Sequence, residues 1–206
     1  VGAPYPVAFR VEQDPWTVAE PHFHQAGQFQ VLVDGDGFLG KRPVRALTIQ
    51  FAAAYTPYGP IVAGERGVAY LTLRSGWDPG ALYMPGARDR LKAFGKKPRA
   101  AYGSTEIGLP PPAGESADRE TLIAPEADGL GAWCHRVPPN GTFTGPDPSA
   151  SGGQYWVCFG GDDTNPETPM QTLSCLFLSP DEPARRATAG PNGLVMLVLQ
   201  FPRMNG

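Results

Sequence analysis

No stretch of this chain approaches the ~18 consecutive apolar residues that a membrane-spanning helix needs, and no charged-then-apolar leader opens it at Val1. Charge of one sign is also scarce. Lys and Arg number 17 against 20 Asp and Glu, a net charge of −3, so no polybasic surface attracts nucleic acid or anionic lipid. Cysteines number 3 (Cys134, Cys158, Cys175) without a CxxC pair. That odd, scattered set gives no disulfide framework and fits buried, reduced thiols in a cytoplasmic protein. Histidines also number 3, and two of them, His22 and His24, stand one residue apart.

Glycine and proline are plentiful, 26 and 24 in 206 residues. They are spread between short apolar runs, which is the punctuation of an all-β protein rather than of a linker. The chain is long enough to bury a sizeable core.

It also repeats itself. "GQFQVLVDGDG" (27–37) resembles "GQYWVCFGGDD" (153–163), and "AGERGVAYLTL" (63–73) resembles "AGPNGLVMLVL" (189–199), both at an offset of 126. Comparing 10–73 with 136–199 without a gap gives 16 identical pairs, where chance gives about 4, so the chain reads as a duplication. Each copy supplies three strand-like runs rich in β-branched and aromatic residues: "FQVLVDG", "VRALTIQF" and "GVAYLTLR", then "YWVCFGG", "MQTLSCLFL" and "GLVMLVLQF". The expected division is an N-terminal domain over 1–75, a connecting segment over 76–126 and a C-terminal domain over 127–206. Within the connection, "ARDRLKAFG" (87–95) reads as a short helix packed on the surface.

The motif around the paired histidines resembles the cupin superfamily. Its first motif, G-x5-H-x-H-x3,4-E-x6-G, is matched by His22, His24 and Gly35, with Gln28 in the glutamate position. Its second, G-x5-P-x-G-x2-H-x3-N, is matched by Pro57 and Gly59, with Val62 in the histidine position and Arg66 in the asparagine position. In the second copy the two histidine positions hold Pro148 and Ala150, while Gln154 repeats Gln28. The resemblance implies two tandem jelly-roll barrels, a bicupin, with a degenerate metal motif. It also implies one divalent transition metal (Fe, Mn, Ni, Zn or Cu), for which His22, His24 and Gln28 are the candidate ligands. Three readings of the pair stand side by side. The first is a metal site completed by Gln28, water or substrate. The second is a metal-free site whose imidazoles bind substrate or act as acid and base. The third is a relic. His135 aligns with Phe9, ahead of the motif, and reads as a structural or surface histidine.

The two copies differ in a directed way. At positions of matched strand parity, Gln30 becomes Trp156, Gln50 becomes Leu176, Tyr70 becomes Met196 and Thr72 becomes Val198. Residues two apart on a strand share a face. If that face lines the barrel, the first barrel holds a polar cavity with Gln30, Gln50, Tyr70 and Thr72 as ligand-binding residues, and the second is filled by apolar side chains, Trp156 foremost. The expected partner is a small organic molecule. By resemblance the chemistry would be of oxygenase, isomerase, lyase or hydrolytic type; the rival class is a non-catalytic binding or sensor module. Neither nucleic acid nor membrane is expected, and homodimerisation follows only by analogy with cupins.

Overall fold

The β-branched and aromatic runs form strands throughout the computed structural model, which describes residues 5–203. Residues 1–4 and 204–206, the outermost ends of the two expected domains, lie outside the described residues. The chain divides into two compact units between Glu106 and Ile107.

The first unit contains β1 (Val7–Gln13), β2 (Val18–Ala19), β3 (His22–Phe23), β4 (Gln28–Leu39), β5 (Arg42–Arg45), β6 (Thr48–Ala52), β7 (Ile61–Arg74), β8 (Leu82–Tyr83), α1 (Arg88–Phe94) and β9 (Ala100–Ser104). Its main sheet runs β1-β7-β4-β6-β9, with β2 added to β7 and β5 to β4; β3 and β8 form a separate ribbon. The second unit contains β10 (Asp118–Ile123), β11 (Gly131–Val137), β12 (Thr142–Thr144), β13 (Gln154–Asp163), β14 (Cys175–Leu178) and β15 (Arg186–Gln200). Its sheet runs β10-β11-β15-β13-β14, with β12 on β15. All these pairings are antiparallel.

The division falls inside the stretch expected to connect two domains, and that stretch supplies strands to both sides. Its Ala100–Ser104 pairs with β6, and its Asp118–Ile123 pairs with β11. "AAYGS" carries little strand signal of its own. It pairs because the outer edge of β6 presents backbone N–H and C=O groups that need partners. The helix spans Arg88–Phe94 and stops at Gly95, whose φ of 61° is left-handed and whose N–H bonds back to the Lys92 carbonyl. Phe94 fastens it, 4.2 Å ring to ring from Tyr55.

Register places the side chains. Gln28 pairs with Arg74 and Gln30 with Thr72; 126 residues on, Gln154 pairs with Gln200 and Trp156 with Val198. Both central strands are bulged at matching places, between Leu32 and Asp34 and between Cys158 and Gly160. Gly35 (φ 76°) and Gly161 (φ 72°) follow. A Cβ at either would lie 2.1 or 2.0 Å from the carbonyl oxygen of Gly67 or Gly193, so only glycine lets the two backbones meet there.

Both alternations of β4 are buried. Phe29 and Val31 face one way among Ile49, Phe51, Leu71 and Leu73, all at most 5% exposed. At roughly 1.5–3 kcal/mol for each large apolar side chain, this apolar face is a main source of stability. The other alternation carries Gln28, Gln30 and Leu32 beside Tyr70 and Thr72, and all of them are buried.

Candidate functional site

A cavity of about 490 Å3 opens in the first unit, and His22, His24, Gln30, Tyr70 and Thr72 lie on its wall. Gln28 and Gln50, expected with them, are buried (1% exposed each) but stand behind the wall. Register explains the convergence: Gln30 lies opposite Gln50 and Thr72, and Leu32 lies opposite Tyr70, so these side chains leave the sheet on one face.

β3 brings the histidines to that wall. His22 exchanges both backbone hydrogen bonds with Tyr58 (3.1 and 3.0 Å) and pairs with Tyr83 of β8. Its Nδ1 is 2.6 Å from the Glu20 carbonyl. A carbonyl only accepts, so in the neutral ring Nδ1 carries the proton and Nε2 accepts from the Tyr58 hydroxyl at 2.8 Å. The same hydroxyl accepts from Gln28 Nε2 at 2.6 Å, and Gln28 Oε1 accepts from Arg74 Nε at 3.0 Å.

Arg74 ends β7 and lines the cavity. Its Nη2 lies 3.1 and 3.3 Å from the two ring nitrogens of His24, and its Nη1 lies 3.4 Å from Asp78 Oδ1. Asp78, with a side chain 0% exposed, accepts from His24 Nδ1 at 2.7 Å and from the backbone N–H groups of Gln25, Ala26 and Gly80. Arg74, Asp78 and Tyr58 thus tie the two expected site histidines and Gln28 into one network.

The electrostatics follow from burial. Desolvation lowers the pKa of His22, outweighing the help of the Glu20 carbonyl, and lowers that of His24 despite Asp78. For Asp78 burial pushes upward, but the His24 hydrogen bond and charge, with the Gly80 and Gln25 amides, bring it below the usual carboxylate range. Burial raises the Tyr58 hydroxyl well above its ordinary value and pushes Tyr70 up to about 12. Near neutral pH the site therefore holds neutral imidazoles and phenols around an arginine–carboxylate pair. His24, with its Nδ1 proton committed to Asp78, has Nε2 as its proton-accepting atom.

In the second unit Trp156 is 0% exposed, with its Nε1 donating to Gln154 Oε1 at 3.0 Å and its ring stacked on Phe143 at 5.2 Å. Met196 and Val198 join it in one apolar cluster, with Leu176 packed against it. A second cavity, about 390 Å3, lies beside this cluster against Leu176, Leu178 and Arg185. Arg185 there is held by the buried Asp163 carboxylate at 2.5 Å.

His135 is in this unit, far in sequence from the pair, buried and stacked 4.0 Å from Phe143. Desolvation drops its pKa to about 4, below the 6.5 of a free histidine. Its folded-state value lies below its unfolded one, so the unfolded chain binds more protons in between. The stability this neutral ring contributes is complete above about pH 6.5 and is lost as pH falls through about 4, roughly 3 kcal/mol in all. His135→Phe should flatten that part of a urea-denaturation pH series; an unchanged slope between pH 6.5 and 4 would assign the acid sensitivity elsewhere.

No protein-family model matches the chain, and no curated protein is similar enough in sequence to count as a relative. Solved structures do match. A candidate dioxygenase of Nostoc punctiforme shares 15% identity, covering 98% of this chain and 70% of that one, at a TM-score of 0.66. Oxalate decarboxylase of Lactobacillus farciminis, solved with formate, shares 13%, covering 98% and 78%, at 0.62. A bacterial pirin of Escherichia coli in complex with nickel(II) shares 14%, covering 98% and 83%, at 0.59. The fold is that of the cupins. At such identities the likeness speaks for the fold alone.

Cupin structures hold nickel(II) in that pirin and Mn(II) centres in Bacillus subtilis oxalate decarboxylase, so the fold accommodates a divalent ion. The donor set of this chain, as arranged, does not fit one. His22 Nε2 is engaged by Tyr58, Gln28 Oε1 by Arg74, and the His24 ring by Arg74 and Asp78. A permanent guanidinium stands among the atoms that would have to surround the ion, and like charges at such distances repel strongly in a buried site. Val62, in the third-histidine position, pairs with Val18 and Phe38 and has no donor to offer. Among the described residues no group of three or more His, Cys, Asp or Glu gathers as a metal set.

Sequence reasoning missed Arg74, Asp78 and Tyr58. Arg74 lies on the same alternation as Tyr70 and Thr72, which was the available signal. Tyr58 sits between the Pro and Gly of the second motif. Asp78 lies in a loop, where no periodicity marks it.

Proposed function

We propose that this chain is a bicupin whose N-terminal barrel binds a small organic molecule without a metal, while its C-terminal barrel is structural. The duplication is supported by the registers that recur at 126 residues, Gln28 with Arg74 and Gln154 with Gln200, and by the matched bulges behind Gly35 and Gly161. Binding is supported by a cavity of about 490 Å3, within the ~300–1,000 Å3 of small-molecule sites, lined by convergent polar groups. The single observation that carries metal independence is the Arg74 guanidinium, held against Gln28, His24 and Asp78. It places a cation of the chain's own where the degenerate motif would otherwise gather ligands.

Tag-free protein should carry no stoichiometric transition metal, and titration with nickel(II) or manganese(II) should show no saturable heat at micromolar concentrations. Binding of one equivalent of either ion, lost on changing His22 or His24 to Ala, would replace this reading with a metal-dependent one. A second reading, acid–base turnover of the bound molecule, is favoured by the 2.7 Å bond that orients His24 on Asp78.

A further inference from the structure

Three groups on the inner wall of the first-unit cavity carry protons that nothing in the chain accepts. They are the hydroxyls of Tyr70 and Thr72 and the Nε2 of Gln30, on residues 6%, 3% and 4% exposed. All three residues line the cavity, and none of these atoms makes a hydrogen bond among the described residues. Gln30 Oε1 is sealed from solvent, whereas Gln30 Nε2 and the two hydroxyls keep accessible surface. What little surface these residues have therefore opens onto the cavity. Register gathers them into one patch. Gln30 lies directly opposite Thr72, and Tyr70 stands two residues from Thr72 on the same face of β7. Beside them on β1, Phe9 lies opposite Thr72 and Val11 opposite Tyr70, and both also line the cavity. In the second unit the matching positions are Trp156, Met196 and Val198, packed in one apolar cluster. Their single polar hydrogen, on the indole, is accepted inside the chain by Gln154. The first unit instead leaves its protons facing open space, where a buried donor gains most from a partner.

We infer that this patch seats the carbonyl oxygen of an uncharged ligand whose apolar body lies against Phe9, Val11, Val18 and Tyr83, an inference that rests on the small-molecule reading above. The count of protons against lone pairs selects the class. An amide N–H only donates, and each hydroxyl brings one proton that needs an acceptor. Burial, with Tyr83 nearby, pushes the Tyr70 hydroxyl up to about 12, so it holds its proton and donates at neutral pH. A carbonyl oxygen supplies two lone pairs and no proton. An alcohol or an ammonium would add protons to a set already short of acceptors. A carboxylate would supply acceptors, but its charge is poorly matched here. Arg74 is already paired with Asp78, and the other charged residues on the cavity wall, Glu12 and Asp14, are negative. Phe9, Val11, Val18 and Tyr83 line the same cavity and offer apolar and aromatic surface to the rest of the molecule.

The probes are four molecules of similar outline: acetophenone, ethylbenzene, benzoate and the 1-phenylethylammonium ion, with binding read by ligand-observed NMR titration. Wild type should bind acetophenone at least tenfold more tightly than each of the other three. Tyr70→Phe keeps the ring and removes one donor, so it should weaken acetophenone about three- to tenfold, the worth of one hydrogen bond, and leave ethylbenzene unchanged. Thr72→Val, which installs the residue found at position 198, should do the same, and carries the test if the phenylalanine variant does not fold. A purely structural role for either hydroxyl would move both probes together. Equal binding of acetophenone and ethylbenzene, tighter binding of either charged probe, no binding of acetophenone, or indifference of acetophenone to both variants overturns the carbonyl subsite. Gln30→Trp separates that failure from failure of the cavity itself: any of the other probes, or a co-purifying organic molecule, that binds wild type and is excluded by this variant leaves the cavity reading standing. If Gln30→Trp excludes nothing that wild type binds, the cavity reading falls as well.

Discussion

Arg74→Ala should lower the stability of the first unit by roughly 3–5 kcal/mol, the cost of removing one partner from a buried ion pair. The Arg74 side chain is 9% exposed and that of Asp78 is 0% exposed, so the carboxylate left behind cannot turn to water. Gln28 Oε1 loses its donor at the same time, and the His24 ring loses the guanidinium beside it. At about 2–4 °C per kcal/mol for a chain of this size, Tm should fall by roughly 6–20 °C. Asp78→Asn in the Arg74→Ala background should recover part of the loss, because the uncompensated charge goes with it. A loss below about 1 kcal/mol, or double-variant energies that simply add, would show that the pair is screened and the network unimportant. One further readout bears on metal independence. With the guanidinium gone, His24, Asp78 and Gln28 are released as donors, so nickel(II) should raise the Tm of the variant and leave that of the wild type unchanged.

Trp156→Ala should destabilise the second unit by roughly 3–5 kcal/mol, the range for an aromatic side chain deleted from a packed core. The indole is held on every side. Phe143 stacks on it at 5.2 Å, Arg185 lies 5.6 Å from its centroid, and Gln154 accepts its N–H. Gly145 is shaped to it, since a Cβ there would lie 2.3 Å from Trp156 Cζ2. Deletion leaves Gln154 Oε1 without that donor and opens space beside the apolar cluster of Met196 and Val198. Trp156→Phe should cost less, because most of the volume stays while the hydrogen bond is lost. Urea denaturation of the full chain would measure both. If alanine costs under about 1 kcal/mol, the second interior is not packed around this residue, and its assignment as structural loses its support.

Much of the fold was legible because positions matched at the 126-residue offset carry geometry as well as identity. Gly35 and Gly161, Gly67 and Gly193, and Leu47 and Leu173 all recur at 126 residues, and each pair has a left-handed φ. The polar wall was legible for a related reason. Setting Gln30, Gln50, Tyr70 and Thr72 against Trp156, Leu176, Met196 and Val198 singled out one alternation, which is buried in the first unit and, in the second, buried at Trp156, Met196 and Val198 with Leu176 partly buried. The same contrast hid Arg74. Its counterpart is Gln200, polar against polar, so nothing distinguished it, although it lies two residues beyond Thr72 on the same face. Asp78 falls in the stretch that has no counterpart at all. "AAYGS" gives no strand signal within the connection, because what makes it a strand is the open edge of β6 and not its own composition.

Composition, strand alternation and the 126-residue register therefore determined by themselves that this is an all-β chain, where its principal strands run and which of their residues share a face. They depend on local periodicity and on residues two apart, which any extended backbone expresses in the same way. What the paired histidines touch was decided only by the tertiary structure. Arg74 and Asp78 reach His24 across 50 and 54 residues, and Tyr58 reaches His22 across 36. Those meetings depend on the register of β7 against β4 and on the return of the loop after β7, so no local pattern around "HFH" could distinguish a site for a metal ion from one that carries its own arginine.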